Sequence, residues 1–117
     1  MATYTQTRLG ARSNLLAASY GTAIYTVGSG QTTIVKQIMV CNTHASATIT
    51  FSLCLPPAGD TTPAEPNDLI FSAVALDPGE TRLINLSLVM IATEGIYGKA
   101  STAGWITITI SGIVEAP

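Results

Sequence analysis

The sequence predicts an all-β protein: an antiparallel β-sandwich or jelly roll of about seven to eight strands behind an extended N-terminal arm. Three observations predict it. Short apolar or alternating runs follow one another from Thr22 to the C-terminus, and Gly, Pro, Asp and Asn separate them. Nowhere does a helical period persist beyond two turns. At 117 residues the chain has the size of one domain that buries its own core without metals or disulfides.

Residues 1–20 are polar at first and only briefly apolar, at "NLLAASY", so they read as the arm, and residues 21–117 as the sandwich. The expected strands are 22–27, 32–42, 47–55, 68–76, 81–89, 95–100 and 104–115. In "ATITFSLCL" Ile49, Phe51, Leu53 and Leu55 alternate with Thr48, Thr50, Ser52 and Cys54. In "WITITISGIV" Ile106, Ile108 and Ile110 alternate with Thr107, Thr109 and Ser111. Side chains on a strand point alternately to its two faces, so one face is core and the other hydroxyl-rich. Ile38, Val40, Leu83, Leu86 and Ile96 join the expected core. The run 32–42 has no clean alternation and reads as a strand buried on both faces.

Turn chemistry supports this division. "GSGQ" at 28–31 offers glycines for positive φ, and "DPGE" at 77–80 puts Pro and Gly where a tight turn wants them. The longest connection, "PPAGDTTPAEPND" at 56–68, holds four of the six prolines and is a surface excursion of a length often used for binding.

Charged residues make up 10% of the chain against about 25% in ordinary soluble domains, while 47% is hydrophobic. Such a surface is coated with Thr and Ser, is covered by partners, or both. A net charge of -2 supplies no basic field for nucleic acid or anionic lipid. The start lacks the basic cluster and apolar block of a secretory signal, and no apolar run reaches the ~18 residues of a membrane span. The chain is therefore expected to be made in the cytoplasm, with Cys41 and Cys54 as free thiols.

His44 lies in the turn "NTHAS", with no second ligand or triad partner placed by spacing. Asp60, Glu65 and Asp68 match no calcium-loop spacing and read as a solvated loop. Asn85-Leu86-Ser87 fits the glycosylation triplet but falls inside an expected strand. No cofactor, metal or catalytic residue is expected. Trp105, at a strand start on the face opposite Ile106, is either an exposed anchor for a partner or a lid over the sandwich edge.

The pieces "RLG" (8–10), "IYTVGSGQTTIVKQIMVCNT" (24–43), "ATITFSLCLPPAG" (47–59) and the final "ITISGIVE" together resemble small virion structural proteins of tailed bacteriophages. The likeness covers most of the chain, and "TTPAEPND" and "ATEGIYGKAS" match only in outline. It implies a β-sandwich without enzymatic residues, made in the host cytoplasm and mounted in the virion. The module would dock on the tail (baseplate, fibre or neck region) or on the capsid surface as a decoration protein. Expected partners are other virion proteins and its own copies, foremost as a trimer, with Arg8, Arg12, Tyr20, Tyr97 and Trp105 as contact residues. The alternative is a carbohydrate-binding module for a host surface glycan, its site formed by Tyr97, Trp105 and the 56–68 loop.

Overall fold

The computed structural model describes residues 3–117, except for the side chains of residues 11–15. Its strands are β1 (Thr3–Leu15), β2 (Tyr25–Thr26), β3 (Thr32–Asn42), β4 (Ile49–Cys54), β5 (Leu69–Leu76), β6 (Thr81–Met90), β7 (Gly95–Ala100) and β8 (Ile106–Ala116). They form two four-stranded antiparallel sheets, ordered β1-β8-β3-β6 and β2-β7-β4-β5. The protein is thus all-β, with eight strands in two facing sheets. Consecutive strands cross between the sheets, except β4 and β5, which are neighbours in one sheet, and the first strand pairs with the last, which is the connectivity of a jelly roll.

The core lies between the sheets. Leu9, Val35, Ile38, Val40, Ile108 and Ile110 face Ile49, Phe51, Leu53, Leu76 and Ile96, all at most 1% exposed. Burying one such side chain contributes about 1.5–3 kcal/mol, and the alternation in β4 and β8 delivers them to one face. The turns form as their residues demand. Gly30 and Gly79 take positive φ, and Glu80 N–H donates to Asp77 O at 2.9 Å.

Three expectations need correction. The first is the arm: Thr3–Leu15 is a strand hydrogen-bonded to β8, with Leu9 and Leu16 buried. Thr5 and Thr7 dilute its apolar signal because they stay exposed beyond the cover of the shorter second sheet, whose β2 has only two residues.

The second concerns β3, which is buried on one face only. Its inward residues are Thr33 and Val35, then Ile38, Val40 and Asn42, because the register shifts between Val35 and Gln37 against both neighbours. This bulge at Lys36 swaps odd for even positions and hides the alternation. Gly112 sits opposite Val35 there, and a Cβ on it would lie 2.1 Å from Ile34 O, so the close approach of the two backbones requires glycine.

The third is Leu83. It is 52% exposed, whereas Leu86 faces inward against the core. Two residues three apart on an unbroken strand lie on opposite faces, so both could not be core.

Candidate interaction surface

β6 reads "TRLINLSLVM" and alternates without a break. Arg82, Ile84, Leu86, Leu88 and Met90 point inward; Leu83, Asn85, Ser87 and Val89 point outward. Both parities hold apolar residues, so once the inner row fills the core, Leu83 and Val89 remain in solvent at 52% and 56%. Tyr4, Met39 and Ile91 are also exposed. Among the described residues every exposed large hydrophobic except Trp105 belongs to the outer face of the β1-β8-β3-β6 sheet or its immediate margin.

Register joins these residues into a patch: Ile34 stands between Val89 and Ile113, and Met39 between Leu83 and Thr109. Tyr4, Thr32, Ile34, Val89, Ile113 and Glu115 line a shallow hollow of about 180 Å³. Charge on this face is sparse. Arg8 is exposed on β1 opposite Ser111, Lys36 Nζ donates to Ser87 Oγ at 3.1 Å, and Tyr4 bonds Glu115. A contiguous apolar area of this kind marks an interaction surface.

A second cluster ties the 56–68 loop to the second sheet. Tyr20 Oη donates to Glu65 Oε2, Lys99 Nζ lies 2.8 Å from the same oxygen, and the ammonium sits 5.0 Å over the Tyr20 ring. The hydrogen bonds from Lys99 and Tyr20 hold the Glu65 carboxyl below its ordinary range. Burial, with the Cys54 thiol and Glu65 beside it, pushes the Tyr20 phenol well above its ordinary range. Glu65 and Lys99 border a hydroxyl-lined hollow of about 310 Å³ with Thr50, Ser52, Ser72 and Ser101.

The third arrangement is a corner at the end of β3. Asn42 is fully buried; its Nδ2 donates to Ala47 O at 2.9 Å and Leu76 O at 3.0 Å, and its Oδ1 accepts from His44 N–H at 2.9 Å. His44 Nδ1 accepts the backbone N–H groups of Ser46 and Ala47, and its ring meets Trp105 edge-on at 4.4 Å. His44 is a turn residue here. Trp105 stays 39% exposed, as a platform beside the turn.

The five expected contact residues do not gather at one place. Arg8 lies on the apolar face, Tyr20 in the Glu65 cluster, and Trp105 at the Asn42 corner. The Arg12 side chain lies outside the described residues. Tyr97 is corrected: it is 4% exposed in β7, where its neighbours Gly95 and Ile96 are buried too, so it offers almost no surface to a partner.

The expected sugar site is not assembled either. Thr43 N–H donates to Trp105 O at one end of β4, while Leu55 N–H donates to Asp68 O at the other, closing the loop far from Trp105. The described lining of the hydroxyl-lined hollow contains no aromatic ring, and the Tyr20 ring near its Lys99 is already covered by that ammonium. Cys41 and Cys54 are free thiols in different sheets. Sequence reasoning missed Leu83, Val89, Met39 and Tyr4. Apolar residues at both parities of the 81–89 run were the available signal.

No family model matches the chain, and no curated protein matches it. Solved structures similar in fold come from infectious bursal disease virus. One is the crystal structure of its T13 viral particle, with TM-score 0.54 and 9% identity over 97% of this chain and 30% of that one. Another is the VP2 subviral particle of the same virus, with TM-score 0.52 and 14% identity over 97% of this chain and 32% of that one. The chain thus spans about a third of the length of the solved chains it matches. At such identity the likeness is one of fold: the jelly roll described above is shared with viral particle proteins.

Proposed function

We propose that this chain is a non-enzymatic structural protein of a virion, a jelly-roll unit that associates with its own copies and with other particle proteins. The observation that carries the reading is the outer face of the β1-β8-β3-β6 sheet, apolar and nearly uncharged in a protein with twelve charged side chains. A face of that kind is covered in the working state, because large exposed apolar patches otherwise promote aggregation. The fold shared with viral particle proteins supplies the setting.

The ionisable groups support a structural role. Glu65 is held by Lys99 and Tyr20, Asp60 and Asp68 accept backbone N–H groups, and His44 Nδ1 is occupied by its own turn. Glu65 and Lys99, the acid and base that border the hydroxyl-lined hollow, are bound to each other at 2.8 Å. The sequence resemblance sharpens the proposal to a tailed-phage virion, on the tail or as a capsid decoration. Peptide mass spectrometry and immunogold labelling of purified particles test it. The chain is expected in stoichiometric amount at one defined location, and its absence from particles overturns the reading.

A further inference from the structure

A sandwich has four edge strands, and each is a template for pairing unless something blunts it. Three edges here are blunted. β2 is two residues long. β5 is kinked at Ala73, whose φ is +47°, and its register against β4 shifts on both sides of Leu53. β1 breaks register between Leu9 and Asn14, with Gly10 at φ +75°. β6 shifts register once against β3, between Leu88 and Asn85, but unlike β5 and β1 it has no positive φ, and unlike β2 it is long. It runs for ten residues without proline, lysine or positive φ and alternates throughout, and no strand lies beyond it in the sheet. Its one charged side chain, Arg82, points inward and is paired with Glu80 at 2.9 Å.

We propose that β6 pairs antiparallel with β6 of a second copy about a two-fold axis at Leu86, joining two β1-β8-β3-β6 sheets into one. The register is chosen by the residues. With Leu86 opposite Leu86 of the other copy, the outward row sets Leu83 opposite Val89 and Asn85 opposite Ser87, so exposed apolar meets apolar and polar meets polar. The inward row sets Ile84 opposite Leu88, extending the core side of both sheets. Opposed residues on one face are the stabilising unit of an antiparallel pair. Ten-residue strands paired this way exchange about ten main-chain hydrogen bonds, the number that a standard interface carries.

The contact is isologous, so it generates pairs, and three copies around a three-fold axis cannot satisfy it. The inference rests on the reading of this chain as an assembly protein, and names the surface and the partner.

Light scattering on the full chain tests it, together with two double variants. Wild type is expected at twice the 12.1 kDa chain mass, dissociating on dilution. Leu83→Lys with Val89→Lys puts lysine opposite lysine in this register and is expected to be a monomer with unchanged circular dichroism. Leu83→Lys with Val89→Glu removes the same apolar groups but opposes unlike charges, and is expected to recover the dimer in low salt. Wild type that stays monomeric or purely trimeric overturns the proposal, as does finding both variants equally monomeric or equally dimeric. If the Lys/Lys variant misfolds, the Lys/Glu variant against wild type decides alone. A chain that is monomeric in solution yet present in particles refutes only the β6 contact; a dimer absent from particles refutes only the virion reading.

Discussion

Replacing Asn42 with alanine probes the corner that holds the β3–β4 turn to the end of β5. The buried amide makes three hydrogen bonds, to Ala47 O, Leu76 O and His44 N–H, all between 2.9 and 3.0 Å. Each contributes about 1 kcal/mol net, and truncation also leaves the Leu76 carbonyl, a partner in a fully buried bond, without its donor. The expected loss is about 3 kcal/mol. For a domain of this size each kcal/mol moves the midpoint by roughly 4 °C, so thermal melting should drop by roughly 12 °C. Asn42→Asp should be worse at neutral pH, because it turns the donor toward two carbonyls into a buried carboxylate oxygen. It should recover in part as acid protonates it. Urea unfolding followed by circular dichroism gives the free energies. A loss under about 1 kcal/mol for Asn42→Ala, or an Asn42→Asp that matches wild type at pH 7, refutes the assignment of this corner to the amide.

Four further outcomes follow from the same reasoning. Gly112→Ala drives a Cβ to 2.1 Å from Ile34 O and should cost about 3 kcal/mol or more, whereas Gly30→Ala meets no atom and strains only its φ; a smaller loss at Gly112 in urea unfolding refutes the close approach. Tyr97→Ala should remove about 3 kcal/mol of stability, and Trp105→Ala less than about 1.5, as read from their melting curves. Deleting residues 1–20 should abolish cooperative melting, since it strips β8 of its partner and removes Leu9 and Leu16; a truncated chain that melts like wild type would restore the arm. The Glu65 carboxyl is held down by hydrogen bonds from Lys99 and Tyr20, and Glu80 by the Asp77 backbone N–H and by Arg82. A depressed folded pKa stabilises above the ordinary value of 4.5 and ceases to as pH falls through the lower folded value, so the melting temperature should fall below that pH. Glu65→Gln with Glu80→Gln should flatten that slope.

Much of the molecule was legible in its residues. The runs 32–42 and 95–100 coincide with β3 and β7, and the other expected strands from 47 onward differ from theirs by one or two residues at either end. The candidate site was less legible. Leu83 and Leu86 look alike in sequence, and only the choice of face separates them. Tyr97 and Trp105 are both aromatic residues near glycines, yet one is buried and the other stands 39% exposed. Tyr20 and Glu65 meet across 45 residues of chain, and Lys99 joins them from a later strand, which no spacing rule anticipates.

What the sequence alone determined is local: all-β class, strand limits, turns, and the facing of β4 and β8. Alternation and turn geometry act over a few residues, and each run carries its own signal. The tertiary structure decided what depends on distant pairing: β1 as a sheet strand, the bulge that divides the facing of β3, and the apolar face that remains. A strand's neighbour and its cover come from elsewhere in the chain. Two apolar parities on β6 are therefore equivalent until one is pressed against Phe51 and its neighbours and the other is left to solvent or to a second copy.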